Sequence, residues 1–130
     1  MINAMIRELY LNAIPINEHT YKVNDIINVL IDIKTEIKKD RNVTANFIII
    51  DLKVAHELIK EINKLGLTTN ISIFNLNTNN VKFVGNIFDL DIFVDPYLST
   101  TGLCIGYNKN LNPLEHIDFT GSIAFKLKLK

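Results

Sequence analysis

The stretch NFIIIDLKVAHELIKEINKLG, residues 46–66, carries the clearest structural signals in the sequence, because it contains a strand, a helix and the boundary between them. Residues 46–50 form a short continuous apolar run, which is the pattern of a strand covered on both faces. Asp51 follows directly and predicts a helix N-cap, since its carboxylate can accept the free amide protons of the first helical turn. Gly66 stands where a left-handed C-cap residue belongs. The predicted buried stripe of this helix consists of Ala55, Leu58, Ile59, Ile62 and Leu65.

Two helices are predicted before this strand–helix unit. Residues 3–13 can form a short helix that Pro15 ends, because a proline disfavours the helical conformation of the residue before it. A second helix is predicted over residues 23–39 by apolar residues at steps of four, three and four. These residues are Ile26, Leu30, Ile33 and Ile37.

After Gly66 the hydrophobic period changes from that of a helix to that of a strand. Strands are predicted around residues 71–75, 81–84, 87–94, 103–107 and 123–129, with turn residues at 77–80. The strand at 87–94 is expected to carry Leu90, Ile92 and Val94 on one face and Asp89, Asp91 and Asp95 on the other. Pro96 ends that strand. The last strand has a basic outer row, which discourages edge-to-edge pairing and consists of Lys126, Lys128 and Lys130.

Length and composition place the chain among globular proteins of one domain. The sequence has 130 residues, of which 48% are hydrophobic and 22% charged, enough for one core and too few for two ordinary domains. We therefore predict a single α+β domain over residues 1–130. Residues 1–42 form its helical segment, and residues 43–130 form the strand–helix unit and a mainly antiparallel sheet.

The charge balance gives no reason to expect a nucleic-acid partner. Fourteen basic and fourteen acidic residues cancel, so the whole-molecule field does not attract a polyanion. Arg7 and Glu8 interrupt the apolar positions of residues 1–11, which therefore lack the uninterrupted apolar stretch of a signal peptide. No window reaches the roughly 18–20 apolar residues that cross a bilayer. We expect a protein that stays in the compartment where it is made and has no membrane partner.

Candidate catalytic and metal-ligating residues are few. His56 lies on the predicted helix without the second histidine four residues later that a helical zinc site needs. His19 and His116 are expected before a helix and in a loop, and all three histidines are expected to be solvated or capping. Cys104 is the single cysteine, so a disulfide within the chain and a zinc site built from cysteines are both excluded. Its apolar neighbours predict a buried structural thiol, and we predict no catalytic, cofactor or metal site.

Asp89 and Asp91 leave one alternative open. Two carboxylates on one strand face can hold a divalent cation or act as general acid and base. Acidic residues that alternate with apolar ones are also typical of any half-exposed strand. A small enzyme that uses Asp89, Asp91 and a histidine would require these side chains to meet in one pocket.

Three segments, in this order, resemble a known family. They are residues 46–60, residues 84–97 (VGNIFDLDIFVDPY) and residues 103–109 (LCIGYNK). Together they are similar to the late part of tailed-phage major capsid proteins of the T4-like and jumbo-phage type, which share the HK97 fold. In that family a strand–helix element precedes a strand that ends in Val-Asp-Pro-Tyr and then a Val-Gly-Tyr-Lys-Gly-like strand. The resemblance covers residues 43–130.

The resemblance implies an HK97-like capsid core in truncated form, because family members are usually much longer and carry an N-terminal arm and an extended loop. It implies a structural role in the virion after synthesis in the host cytoplasm, with other capsid subunits as partners and an oligomeric natural state. Asp95, Pro96 and Tyr97 would shape a turn, while Gly106 and Tyr107 would occupy the family's glycine–tyrosine position. Tyr97 and Tyr107 are candidate subunit contacts, with core or turn tyrosines as the alternative. A capsid-binding decoy or regulator of assembly would share the same fold.

Overall fold

The computed structural model describes residues 2–16, 21–71, 80–98, 101–113 and 118–130. Its helices are α1 (Ile2–Asn12), α2 (Ile26–Arg41) and α3 (Leu52–Leu65), with a 3-10 turn at Val23–Asp25 before α2. Its strands are β1 (Ile14–Pro15), β2 (Phe47–Ile50), β3 (Asn70–Ile71), β4 (Lys82–Ile87), β5 (Leu90–Val94), β6 (Gly102–Tyr107) and β7 (Ile123–Lys128).

The strands form one mixed sheet in the order β1-β7-β6-β2-β5-β4-β3. The predicted α+β class is therefore confirmed. Four of the six pairings are antiparallel, but β2 at the centre pairs parallel with β5 and antiparallel with β6. We call the sheet end where β2 and β5 finish the upper end, and the end where they begin the lower end.

Both faces of the sheet are covered, so β2 is buried along its whole length. On one face Ile48 and Ile50 join a core with the buried stripes of α2 and α3. On the other face Phe47 and Ile49 pack with Ile6 of α1 and with the aromatic rings and small side chains around them. The fully apolar run of β2 follows from this burial, because neither face can tolerate a polar side chain without a partner.

The strand–helix unit forms as predicted. One carboxylate oxygen of Asp51 accepts a hydrogen bond from the backbone amide of Val54 at 2.8 Å, which is the N-cap geometry. Gly66 ends α3 with a φ of 65°, in the left-handed region that glycine adopts without steric cost. The predicted stripe extends one residue too far, since Leu65 is 55% exposed. The stripe predicted for α2 is confirmed, because all four of its residues are buried.

Residues 87–94 do not form the single strand that the sequence predicts. β4 ends at Ile87 and β5 begins at its partner Leu90, so the two strands form a hairpin with a two-residue turn. Phe88 and Asp89 in this turn have φ values of 51° and 62°, as a type I′ turn requires. The apolar alternation of Leu90, Ile92 and Val94 is correct for β5, but Asp89 lies in the turn and outside the strand.

Replacing Asp89 with glycine should stabilise the protein by about 0.5–1 kcal/mol, because glycine adopts a positive φ without strain. The free energy of unfolding from denaturant titration measures this gain. Asp91→Gly in the adjoining strand is the control and should destabilise the protein, since glycine weakens a strand interior. A loss of stability in Asp89→Gly would contradict the turn geometry.

Candidate functional site

The first candidate segment, Asp95 to Tyr97, leaves the upper end of β5 beside the centre of the sheet. The backbone amide of Asp95 donates to the carbonyl of Ile50 at 2.9 Å, which extends the pairing of β5 with β2 by one bond. Its carboxylate accepts the backbone amide of Tyr97 at 2.8 Å, so that Pro96 is held in a tight aspartate turn. Asp95 is only 3% exposed, which corrects the prediction that it lies with other carboxylates on an outer strand face.

Tyr97 is the exposed part of this turn. Its side chain is 53% exposed, and the guanidinium carbon of Arg7 on α1 lies 5.8 Å from the ring centroid. An arginine over a tyrosine ring at this distance makes a favourable cation–π contact. The turn therefore presents an aromatic ring and a positive charge side by side at the upper end of the sheet.

β5 and β6 lie on opposite sides of β2 in the sheet. Asp51 binds Thr101, the residue that directly precedes β6. The carboxylate oxygen of Asp51 that does not cap α3 accepts the backbone amide of Thr101. The hydroxyl of Thr101 donates to the backbone carbonyl of Leu129 at 2.7 Å. The backbone carbonyl of Thr101 accepts a hydrogen bond from the backbone amide of Leu129 at 2.9 Å. Crevices outside the carboxyl ends of parallel strands are common ligand sites in open α/β sheets. Here both carboxylate oxygens of Asp51 accept hydrogen bonds from the protein's own backbone amides, those of Val54 and Thr101.

Thr101 was missed as a structural residue by sequence reasoning. It is buried and has a φ of 60°, a conformation that is strained for a β-branched side chain. No local pattern indicates such a residue, because its conformation is imposed by contacts with Asp51 and Leu129, which are far away in the sequence.

The second candidate segment, Gly106 and Tyr107, lies at the lower end of β6. A Cβ atom on Gly106 would lie 2.2 Å from the carbonyl oxygen of Ile123 and 2.8 Å from the ring of Phe47. Only glycine fits this position between the paired strand and the core below it. The glycine of the motif is thus required by packing.

Tyr107 forms an exposed apolar cluster with its neighbours on the sheet. It pairs with Ile123 across β6 and β7, and Ile14 of β1 pairs with Phe125 two residues further along β7. Because paired and alternate residues share a sheet face, Tyr107, Ile123 and Ile14 project on the same side, 37%, 44% and 38% exposed. Arg41 covers the ring of Phe125 beside them, with its guanidinium carbon 5.8 Å from the centroid. We call these three exposed residues the Tyr107 cluster.

Asn108 directly after the motif is a second residue whose role the sequence did not reveal. It is buried, and its side-chain amide donates to the carbonyls of Asp118 and Thr120 and to the hydroxyl of Ser122. Its backbone exchanges two hydrogen bonds with the side chain of Asn46, at 2.8 and 3.0 Å. Asn108 therefore closes the lower end of β2 and fixes the residues that precede β7.

The premise of the carboxylate alternative is wrong. Asp89 is exposed in the hairpin turn, whereas Asp91 is half-buried within β5, so the two side chains do not share one strand face. Burial raises the pKa of Asp91 above its usual value. His56 is exposed on α3, while His19 and His116 lie outside the described residues. Within the described ranges, no group of three or more histidine, cysteine, aspartate or glutamate side chains is arranged to hold a metal ion.

Cys104 occupies a buried position in β6, as predicted. Burial raises the pKa of its thiol to about 12, against a smaller opposing effect from the charge of Lys126. The thiolate is the nucleophilic form of cysteine, so this side chain is unsuited to nucleophilic chemistry in the folded protein.

We therefore expect Cys104 to resist alkylation at pH 8 in the native protein and to react once the chain is unfolded, as intact mass spectrometry can measure. Because its pKa is raised above 9.0 in the folded state, its contribution to stability is present below pH 9 and is lost as the pH rises toward 12. Complete alkylation of the native protein at the rate of a free thiol would contradict this burial.

Comparisons with known proteins do not extend these observations. No protein-family model matches the chain, and neither a curated protein nor a solved structure is significantly similar to it. Among the helices of the described residues, none is both long and apolar enough to span a bilayer.

Proposed function

We propose that the chain is a structural domain of the HK97-fold capsid type, which binds other capsid subunits in the virion. The observation that carries the proposal is the arrangement of Asp95–Tyr97 and Gly106–Tyr107, which belong to two of the three segments that resemble the family. The first directly follows β5 and the second ends β6, the two neighbours of the central strand, and each has a closely packed residue with an exposed tyrosine after it. In the first segment the packed residue is Asp95, and in the second it is Gly106.

The distribution of exposed apolar side chains supports a partner at the lower end of the sheet. Nine large apolar residues are exposed in the described part of the chain, and six of them form two groups at this end. The first is the Tyr107 cluster. The second consists of Leu65, Leu67 and Phe88, of which Leu67 and Phe88 line a cleft of about 310 Å³ beside the β4–β5 turn. Grouped apolar exposure of this kind is typical of interaction surfaces.

The composition of the Tyr107 cluster also favours a protein partner. Tyrosine and arginine are enriched among the residues that contribute most to protein–protein binding, and here Tyr107 lies near Arg41 with isoleucines around it. A neighbouring subunit that covered Tyr107 and Ile123 would bury two large apolar side chains. Because only 37% of Tyr107 and 44% of Ile123 is still exposed, each would contribute less than half of the about 1.5–3 kcal/mol that full burial of such a side chain gives.

The proposal is tested by binding to a full-length major capsid protein from the same genome, immobilised for a surface-binding assay. We expect the chain to bind and Tyr107→Asp with Ile123→Asp to bind at least about tenfold more weakly, because both substitutions place a charge in the contact. Ile31→Lys is the matched control, since Ile31 is an equally exposed isoleucine on the distant face of α2. Absence of binding by the unmodified chain would refute the proposed function.

A further inference from the structure

The two-residue turn between β4 and β5 has an unusual sequence for its backbone conformation. Phe88 and Asp89 both lie in the left-handed region of φ, which residues with a side chain adopt at a steric cost. Aspartate tolerates this region because its short polar side chain can bond to the local backbone, whereas phenylalanine has no such compensation. Phe88 belongs to neither of the two cores, and its side chain is 37% exposed. Packing of its ring in a core therefore does not explain why the turn keeps this form.

A lysine of α2 contacts this turn from outside the hairpin. The ammonium group of Lys34 donates a hydrogen bond to the backbone carbonyl of Phe88 at 2.5 Å. A hydrogen bond with a charged donor is roughly twice as strong as one between neutral groups. Lys34 directly follows Ile33, which is completely buried in the stripe of α2. The donor therefore extends from a helix position that the core holds in place.

The carbonyl that accepts this bond is the one whose direction defines the type of turn. It belongs to the peptide that joins the two turn residues. In a type I′ turn both residues have a positive φ, whereas in a type II′ turn only the first does, because this peptide is rotated. The pairing of Ile87 with Leu90 is compatible with either type. The strand register alone therefore does not fix the direction of this carbonyl, and the bond from Lys34 does.

We propose that Lys34 is a conformational latch, a side chain that holds the β4–β5 turn in its type I′ form. The turn and the strand end before it contribute Ile87, Phe88 and Asp89 to the cleft of about 310 Å³ that Leu67 also lines. Loss of the bond lets the central peptide of the turn rotate, which changes the wall that the turn gives to this cleft. The latch does not rest on the proposed capsid function, because it acts within the isolated chain.

The test is amide hydrogen exchange in the full chain, resolved by nuclear magnetic resonance, at Leu90, which pairs with Ile87 across the turn. Lys34→Met keeps most of the methylene stem but removes the donor, so it should speed exchange at Leu90 at least about tenfold. The nuclear Overhauser effect between the α proton of Phe88 and the amide proton that follows it should strengthen, because rotation of the peptide brings these protons together. Lys38→Met is the matched control and should change neither signal, since Lys38 lies one turn further along α2 and donates to Asn42.

A second background separates the latch from a general loss of stability. Phe88→Asn with Asp89→Gly supplies residues that adopt a positive φ readily. In that background Lys34→Met should alter exchange at Leu90 by less than about threefold, because the turn keeps its form without the bond. The amides of β2 report global unfolding and should be unaffected by Lys34→Met. Equal acceleration at Leu90 and in β2, an unchanged Overhauser effect, or an undiminished effect of Lys34→Met in the Asn-Gly background would each overturn the proposal.

Discussion

Gly106→Ala is expected to lower the free energy of unfolding by about 3 kcal/mol or more, or to prevent folding altogether. The added methyl group would lie 2.2 Å from the backbone carbonyl oxygen of Ile123 and 3.0 Å from the Cα atom of Ala124. Both atoms belong to the paired strand β7, so they cannot rotate away as a side chain could. The substitution must therefore separate β6 from β7 or displace Phe47 in the core. Denaturant titration followed by circular dichroism measures the loss.

Gly121→Ala is the matched control for this prediction. Gly121 has a φ of 78°, and its added Cβ would have no atom within 4 Å. Its substitution should therefore cost only the strain of a left-handed alanine, about 1 kcal/mol. An equal or smaller loss for Gly106→Ala would mean that β6 and β7 are not packed as closely as described.

Asp51→Ala is expected to cost about 3 kcal/mol, because one carboxylate supports two separate parts of the fold. Its loss removes the N-cap of α3, worth about 1 kcal/mol. It also leaves the buried amide of Thr101 without its acceptor, which costs about 1–3 kcal/mol. Asp51→Asn retains one acceptor oxygen and should lose less. The free energies of unfolding of the two variants measure both effects.

Asp25→Ala provides the comparison for Asp51. Asp25 also precedes a helix, but its side chain makes no capping hydrogen bond. The substitution should therefore change stability by less than about 0.5 kcal/mol. Similar losses for Asp25→Ala and Asp51→Ala would show that Asp51 does not join α3 to Thr101.

The parts of the fold that the sequence predicts well are those whose signals are local. The strand–helix unit combines an apolar run, the cap at Asp51 and the stop at Gly66, and these three signals agree with one another. The buried stripe of α2 is visible in its spacing alone. Leu65 was assigned to the buried stripe of α3 because the period continues to the last turn, but the sheet no longer covers the helix there.

The parts that the sequence predicts poorly depend on distant contacts. Phe88 and Asp89 are unusual residues for a tight hairpin turn, which normally contains Asn-Gly or Asp-Gly. The apolar alternation of β5 continues back to Phe88, so the strand predicted at residues 87–94 includes the turn and the last residue of β4. The parallel pairing of β5 with β2 is likewise set by chain topology, which residue spacing does not encode.

In the candidate site as well, features with a local sequence signal were predicted and features set by distant contacts were missed. Tyr97 and Tyr107 were singled out by their motif, and both are exposed. The burial of Asp95 was missed, because an acidic residue after an alternating strand normally points to solvent. The contacts of Asn108 with residues 118–122 were missed as well, since an asparagine in a loop more often indicates simple turn chemistry.

We propose that this domain joins capsid subunits, and the mass distribution of the chain mixed with a full-length capsid subunit from the same genome tests this proposal. We expect the chain to enter the assemblies of the longer subunit, or to limit their size if it acts as a decoy. In either case the effect should be lost in Tyr107→Asp with Ile123→Asp and retained in Ile31→Lys. Assemblies that form with unchanged mass and contain none of the chain would contradict the proposed capsid role.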